Sequence, residues 1–228
     1  MQPKKHIIIF SHGFGTKKDD RGLLSGTHGI AEALEDEGIE TVLFDYNDIN
    51  EENQVITVRP LRTQVKMLQE VVNENKEKNK DAIIDIIAHS QGCLVVALAK
   101  TIGIRKTIFV APSLDNDIEH TIDMFKGRPG TEINLSGVSK LARKDGTVTI
   151  VPAKFWKERK KVEPIPLYNK LCLQTELIII NAKQDEIFGH SKTQGLAEKI
   201  EIIELDGNHQ FSGEARKNLI KTIKEIIL

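Results

Sequence analysis

Cysteine, aromatic residues and long apolar runs are all scarce in this chain of 228 residues. The two cysteines, Cys93 and Cys172, are too few for a disulfide framework, and no C-x-x-C pattern or His/Cys cluster indicates a structural zinc site. A membrane helix needs about 20 consecutive apolar residues, and no apolar stretch in the sequence is that long. The run Ile7–Phe10 is too short for the apolar core of a signal peptide. These absences predict a soluble, cytoplasmic protein without a membrane span.

An excess of charge of either sign is also missing. Lys and Arg total 32 while Asp and Glu total 33, which gives a formal net charge of −1. A nucleic-acid-binding domain is typically basic, so we expect no nucleic acid partner. The composition is otherwise that of an ordinary globular protein, with 39% apolar residues and 16 glycines. The composition leaves the oligomeric state open.

Short apolar runs alternate with amphipathic segments along most of the chain. Six strands are predicted, at Ile7–Phe10, Thr41–Phe44, Ala82–Ala88, Thr107–Ala111, Glu176–Asn181 and Glu201–Leu205. Helical spacing predicts a small-residue helix at Cys93–Ala99 and a final helix through Leu219, Ile223 and Ile227. This alternation predicts an α/β fold, in which a mostly parallel sheet is flanked by helices in a single domain of residues 1–228.

Residues 113–175 interrupt the alternation. The turn signal Asp145-Gly146 precedes the strand-like Thr147–Val151, which predicts a small hairpin. The aromatic residues Phe155, Trp156 and Tyr168 are candidates to line an acyl or aryl pocket, or else to form a small core of the insertion itself. Since the segment is too short to hold an independent core, we expect a cap over one edge of the sheet.

The sequence Ala88-His89-Ser90-Gln91-Gly92 lies between a predicted strand and a predicted helix. A serine hydroxyl reacts as a nucleophile only when it is exposed, oriented and paired with a base. A sharp strand-to-helix turn exposes the hydroxyl, and the following helix N-terminus offers N–H groups to a developing oxyanion. The pattern therefore predicts that Ser90 is a nucleophile. The alternative interpretation is an ordinary tight turn in which the serine caps the helix.

Three further residues complete this pattern. The glycine-rich loop His12–Gly15 follows the first strand and allows the Phe14 N–H to point towards a substrate. Asp185 and His209 follow the last two strands, at the strand ends where open α/β sheets bind ligands. The order of serine, acid and histidine is that of one hydrolase architecture. Other acids available for the same role are Glu186, Asp115 and Asp117.

The remaining histidines and the cysteine beside Ser90 are expected to be structural. His89 is expected to pack around the turn, and Cys93 to be a small core residue. Surface or loop positions are expected for His6, His28, His120 and His190.

With these motifs the chain resembles the α/β-hydrolase superfamily over nearly its whole length, in a short form. The matching pieces are His12–Gly15, Ala88–Gly92, Ala182–Asp185 and Gly207–Phe211. Within the superfamily, His-Gly-Phe, His-Ser-Gln-Gly and Asn-His-x-Phe look most like small carboxylesterases of the cinnamoyl/feruloyl esterase type. The chain departs from them at residues 45–50, where many of these esterases carry glycines.

The resemblance implies a serine hydrolase that cleaves small-molecule carboxylic esters through an acyl-enzyme, with no metal or organic cofactor. Ser90 then attacks the carbonyl, His209 transfers the proton and Asp185 orients the imidazole. The backbone N–H groups of Phe14 and Gln91 form the oxyanion hole. The alternatives are a thioesterase or peptidase with the same triad, and a non-catalytic α/β-hydrolase-like binding module.

Overall fold

The computed structural model describes residues 4–189 and 193–228, so His190 lies outside the described residues. The elements follow one another in the order β1 (His6–Ser11), α1 (Ile30–Glu35), β2 (Glu40–Val42), β3 (Asp48–Asn50), β4 (Val55–Thr57), α2 (Leu61–Lys78), β5 (Ile83–His89), α3 (Gln91–Ala99), β6 (Lys106–Val110), α4 (Glu119–Asp123), β7 (Val138–Ala142), β8 (Val148–Pro152), α5 (Ala153–Arg159), α6 (Pro164–Leu171), β9 (Glu176–Ala182), β10 (Glu201–Leu205) and α7 (Glu214–Ile227). Within that range, no helix has both the length and the apolar character that crossing a membrane requires.

The main sheet has six strands in the order β2-β1-β5-β6-β9-β10, and all neighbouring pairs are parallel. Successive side chains of a strand point to opposite faces. In β1, Ile7 and Ile9 therefore join one core cluster, and Ile8 and Phe10 join the cluster on the other face. Helices cover both faces, which is why the central strands are apolar on both sides. The predicted α/β fold with a mostly parallel sheet is confirmed.

The strand order places a crevice beside β1. The chain goes from β1 to β2 on one side, whereas β5 lies against β1 on the other side. The loops that leave β1 and β5 therefore diverge, and open α/β sheets bind ligands at such a switch point. The glycine-rich loop follows β1 and Ser90 follows β5, so the topology places both at the crevice.

A second sheet of four strands has the order β3-β4-β8-β7, and two of these strands lie in residues 113–175, which sequence analysis assigned to a cap. Its strands β7 and β8 form the antiparallel hairpin expected around Asp145-Gly146. However, β3 and β4 come from residues 48–57, outside the 113–175 segment, and Val55 of β4 pairs with Val148 of β8. Three-residue strands leave too short a pattern for periodicity to reveal, so this pairing was not anticipated.

Candidate active site

The turn that carries Ser90 is held in a sparsely populated backbone conformation. Ser90 has φ 53° and ψ −121°, between the end of β5 and the start of α3. Its N–H donates to the Val110 carbonyl at 3.0 Å. A Cβ on Gly92 would lie 2.2 Å from the Ser11 carbonyl oxygen, so only glycine allows α3 to approach β1 this closely. The fold thus compels a strained turn, and such strain is characteristic of functional sites.

Three residues from separate loops meet at this turn. The Nε2 atom of His209 lies 3.0 Å from Ser90 Oγ, and its Nδ1 atom lies 2.7 Å from Asp185 Oδ2. Since a carboxylate only accepts hydrogen bonds, Nδ1 carries the hydrogen and Nε2 is left to accept from the serine hydroxyl. Exposure is 7% for Ser90, 4% for His209 and 6% for Asp185, so all three are shielded from bulk water.

Asp185 remains ionised in this environment. Burial by itself raises the pKa of a carboxyl group, but the hydrogen bond and charge of His209 outweigh that effect. The N–H groups of Ile187 and Phe188 add two hydrogen bonds to Oδ1, at 2.8 and 2.9 Å. The pKa of Asp185 is therefore below its ordinary value, and the carboxylate is available to stabilise a charged imidazole.

The other acids have different partners. Glu186 accepts the backbone N–H of His209 at 2.9 Å. Asp115 lies 3.4 Å from His120, and Asp117 accepts the Glu119 N–H at 2.8 Å. In the described chain, none of these three carboxylates is hydrogen-bonded to the His209 ring.

Phe14 and Gln91 flank Ser90 and line a cavity with it. Neither backbone N–H donates a hydrogen bond within the part of the chain that the structure describes. The loop around Phe14 is fixed from two sides, because Gly13 N–H donates to Asp20 Oδ2 at 2.8 Å and Arg143 Nη2 donates to the Phe14 carbonyl at 3.0 Å. Among the described residues, the Phe14 and Gln91 N–H groups thus have no hydrogen-bond acceptor, and both residues line a cavity with the candidate nucleophile.

The three aromatic residues singled out in residues 113–175 lie in the protein core. Phe155, Trp156 and Tyr168 are each at most 1% exposed and belong to the core cluster on the α3 face. None of them lines the two cavities at Ser90. Phe155 and Trp156 instead pack against the Phe14 ring, with centroids 5.3 and 5.7 Å away. They therefore support the loop that carries the Phe14 N–H.

A buried ion pair beside the site was missed by sequence analysis. His89 Nδ1 lies 2.5 Å from Asp20 Oδ2, and its Nε2 lies 3.1 Å from the His209 carbonyl oxygen. Both ring nitrogens of His89 thus lie within hydrogen-bond distance of an oxygen that can accept. Although burial opposes ionisation of Asp20, the charge and hydrogen bond of His89 dominate and lower its pKa to about 2. The pair connects three parts of the site. Asp20 holds the glycine-rich loop through the Gly13 N–H, and His89, which precedes Ser90 in the turn, contacts the loop that carries His209.

Two cavities meet at Ser90, and Phe14, Met124 and Ile187 line both. The larger one, of about 130 Å³, contains His209 and three arginines, Arg21, Arg128 and Arg143. The smaller one, of about 30 Å³, is not lined by His209 and extends past Gln91 and Leu94 to the buried Arg159.

Among the described residues no group of three or more His, Cys, Asp or Glu side chains is arranged to hold a metal ion.

Comparisons with known proteins identify the family of this chain and structures of similar fold. The family described as "Putative serine esterase (DUF676)" matches residues 1–122, which include the glycine-rich loop and Ser90. No curated protein matches the chain significantly.

Solved structures of similar fold cover almost the whole chain. The structure of ferulic acid bound to Est1E from Butyrivibrio proteoclasticus is 17% identical, with a TM-score of 0.71 over 99% of this chain and 89% of that one. An esterase domain of a Rhodothermus marinus protein is 16% identical, with a TM-score of 0.65 over 97% and 85%. An alpha-beta serine hydrolase homologue from Coxiella burnetii is 15% identical, with a TM-score of 0.58 over 97% and 88%. At these identities the likeness establishes the α/β-hydrolase fold alone.

Proposed function

The chain belongs to the serine esterase family DUF676, and on that premise we propose that it hydrolyses small carboxylic esters through an acyl-enzyme on Ser90. The observation that carries the proposal is the continuous chain of hydrogen bonds from Ser90 Oγ through His209 to Asp185, at 3.0 and 2.7 Å. Hydrogen-bond reach between nucleophile and base, with a third group orienting the base, is the requirement for an activated serine.

The proposed reaction proceeds in two acyl transfers. Ser90 Oγ attacks the ester carbonyl while His209 Nε2 takes its proton, and the Asp185 carboxylate stabilises the imidazolium. The tetrahedral oxyanion receives hydrogen bonds from the N–H groups of Phe14 and Gln91. His209 then protonates the departing alkoxide, and the acyl group remains on Ser90. Water attacks this acyl-enzyme with His209 as the base, which releases the acid and restores the serine.

The two cavities suggest how the ester lies. His209 must reach the leaving oxygen, and it lines only the larger cavity, so we assign the alcohol portion to that side. The acyl portion then occupies the smaller cavity beside Gln91. That cavity, of about 30 Å³, is the smaller of the two, so it favours an acetyl or similarly short acyl group.

We further propose that residues 113–175 act as the cap of a single domain and shape the substrate site. Met124, Phe125, Arg128 and Arg143 come from this segment and line the larger cavity. The segment therefore determines which alcohols fit, whereas the core of the domain provides the chemistry.

A fluorophosphonate probe tests the nucleophile. Wild-type protein is expected to be labelled once, at Ser90, and Ser90→Ala to remain unlabelled while it keeps the same thermal unfolding temperature. Ser136→Ala is a matched control on an exposed serine and is expected to be labelled like wild type. A folded wild-type protein that resists the probe, or a Ser90→Ala protein that reacts equally well, contradicts the proposal and favours a non-catalytic binding module.

Hydrolysis of p-nitrophenyl esters tests the acid and the substrate class. Asp185→Asn is expected to reduce kcat by orders of magnitude, as the loss of the orienting acid does in serine hydrolases. Asp117→Asn is the control and is expected to retain activity, whereas near-normal turnover by Asp185→Asn would assign the role of the acid to another residue.

A series of substrates tests the substrate class. Among acetate, butyrate and octanoate esters, a hydroxycinnamate ester and an acetyl thioester, we expect the acetate ester to be hydrolysed best. A preference for the hydroxycinnamate ester or for the thioester would contradict the assignment of short carboxylic esters as the substrate class.

A further inference from the structure

Arginine is concentrated around the catalytic cavities. The chain has eight arginines, and four of them line the two cavities at Ser90, whereas no lysine does. A guanidinium group presents several donors in a plane that matches a carboxylate or phosphate. This concentration is therefore relevant to what the site binds.

Arg128 and Arg143 in the larger cavity lack acidic partners of the kind that Arg59 and Arg105 have. Arg59 pairs with Asp48, and Arg105 pairs with Asp85. By contrast, within residues 4–189 and 193–228 no carboxylate lies within salt-bridge distance of Arg128 or Arg143. A partly buried guanidinium without a counter-charge is costly, because desolvation is not compensated.

Their positions are nevertheless fixed. Both guanidinium groups stack on the ring of Phe125, at 4.8 Å for Arg128 and 5.3 Å for Arg143. Arg143 also donates to Thr149 Oγ1 at 2.6 Å and to the Phe14 carbonyl. Arg128, by contrast, has one hydrogen bond to the described residues, a long one of 3.5 Å from Nη1 to the Ala142 carbonyl oxygen. Most of its donors are therefore free to bind a ligand.

The carboxylates that line the same cavity do not neutralise this pair. Asp20 is occupied by His89 and the Gly13 N–H. Glu186 is exposed and uses Oε2 to accept the His209 N–H. Arg21, the third arginine of the cavity, adds charge of the same sign at an exposed position. The cavity thus holds three arginines, while its two acids already have other partners.

We propose that the natural ester carries an anionic oxygen group, a carboxylate or a phosphate, on its alcohol portion, and that Arg128 and Arg143 bind this group. The inference rests on the proposed function, because the alcohol side is defined by His209. It narrows the substrate class to acidic esters with a short acyl group. Arg128 is a binding residue in this proposal, and Arg143 both binds the anion and positions the Phe14 loop.

The test compares aryl acetates that differ only in the substituent opposite the ester, which is either anionic or neutral. 4-Acetoxybenzoate carries a carboxylate on the leaving group, 4-acetoxybenzamide is its neutral isostere, and 4-acetoxyphenyl phosphate supplies the phosphate. We expect the kcat/KM of wild type to be about tenfold or more higher for one or both anionic esters than for the amide. A ratio of this size corresponds to the free energy of one charge-assisted hydrogen bond. Arg128→Gln is expected to remove most of that preference and Arg128→Lys to restore part of it. Arg62→Gln, which removes an exposed charge outside both cavities, should retain the preference.

A second measurement is independent of turnover. In Ser90→Ala protein, 4-hydroxybenzoate or 4-hydroxyphenyl phosphate should raise the unfolding temperature more than 4-hydroxybenzamide does, and the additional Arg128→Gln substitution should cancel the difference. Hydrolysis of all esters with no charge preference overturns the anion site but leaves the esterase intact. Absence of any hydrolysis with charge-selective stabilisation rejects the esterase and retains the anion site. Equal stabilisation by all three compounds overturns the site in either case.

Discussion

Replacing Asp20 with Asn is expected to destabilise the protein in a pH-dependent way. The pKa of the Asp20 carboxyl falls from 3.8 to about 2 in the folded protein. Each unit of pKa corresponds to about 1.4 kcal/mol, so the ionised form stabilises the native state by about 2 kcal/mol at neutral pH. Because the native pKa lies below the unfolded value, this contribution is complete above pH 4 and is lost as the pH falls towards 2.

Urea denaturation of wild type and Asp20→Asn at several pH values measures this contribution. The two free energies of unfolding are expected to differ by about 2 kcal/mol at pH 7 and at pH 5, and to converge below pH 4. The low pKa of Asp185 affects both proteins equally and cancels in the difference. Asp19→Asn, at the exposed neighbouring position, should stay within about 0.5 kcal/mol of wild type. A gap that is absent at pH 7, or that persists unchanged at pH 3, would refute the ionised Asp20–His89 pair.

Three other substitutions test the architecture of the site. Gly92→Ala places a Cβ 2.2 Å from the Ser11 carbonyl, and we expect it to lower the free energy of unfolding by about 3 kcal/mol, measured in urea. Arg143→Gln removes the hydrogen bond to the Phe14 carbonyl; we expect kcat for neutral p-nitrophenyl acetate to fall about tenfold with little change in KM, because oxyanion donors act in the transition state. Met124→Ala enlarges both cavities and should raise the ratio of butyrate to acetate hydrolysis; an unchanged ratio would remove Met124 from the acyl site.

Local sequence patterns were enough to predict the parallel sheet and the neighbourhood of Ser90. The run Ile7–Phe10 is apolar on both faces, which is the pattern of a buried parallel strand. Once the strands are placed, the residues that follow their carboxyl ends must gather at one edge of the sheet. This placement predicts that Ser90, Asp185 and His209 lie close together. The distances of 3.0 and 2.7 Å required the three-dimensional structure.

Contacts between distant segments account for what sequence analysis missed. Asp20 lies in the charged stretch Lys17–Arg21, which is typical of a solvated loop, and its partner His89 is 69 residues away. The strand β4 is only three residues long, so its pairing with β8 leaves no periodic signal. The unpaired arginines are likewise recognised only when the segments that carry them are seen to line one cavity.

The arrangement of Phe14 connects substrate recognition with the chemistry. Its N–H is a proposed oxyanion donor, its ring packs on Phe155 and Trp156, and its carbonyl accepts from Arg143. Arg143 belongs to residues 113–175 and also lines the cavity that we assign to the alcohol. An anion bound there restricts the Arg143 side chain, and through it the loop that must hold the oxyanion donor in place. Since oxyanion stabilisation depends on preorganised donors, an acidic leaving group should raise kcat as well as lower KM.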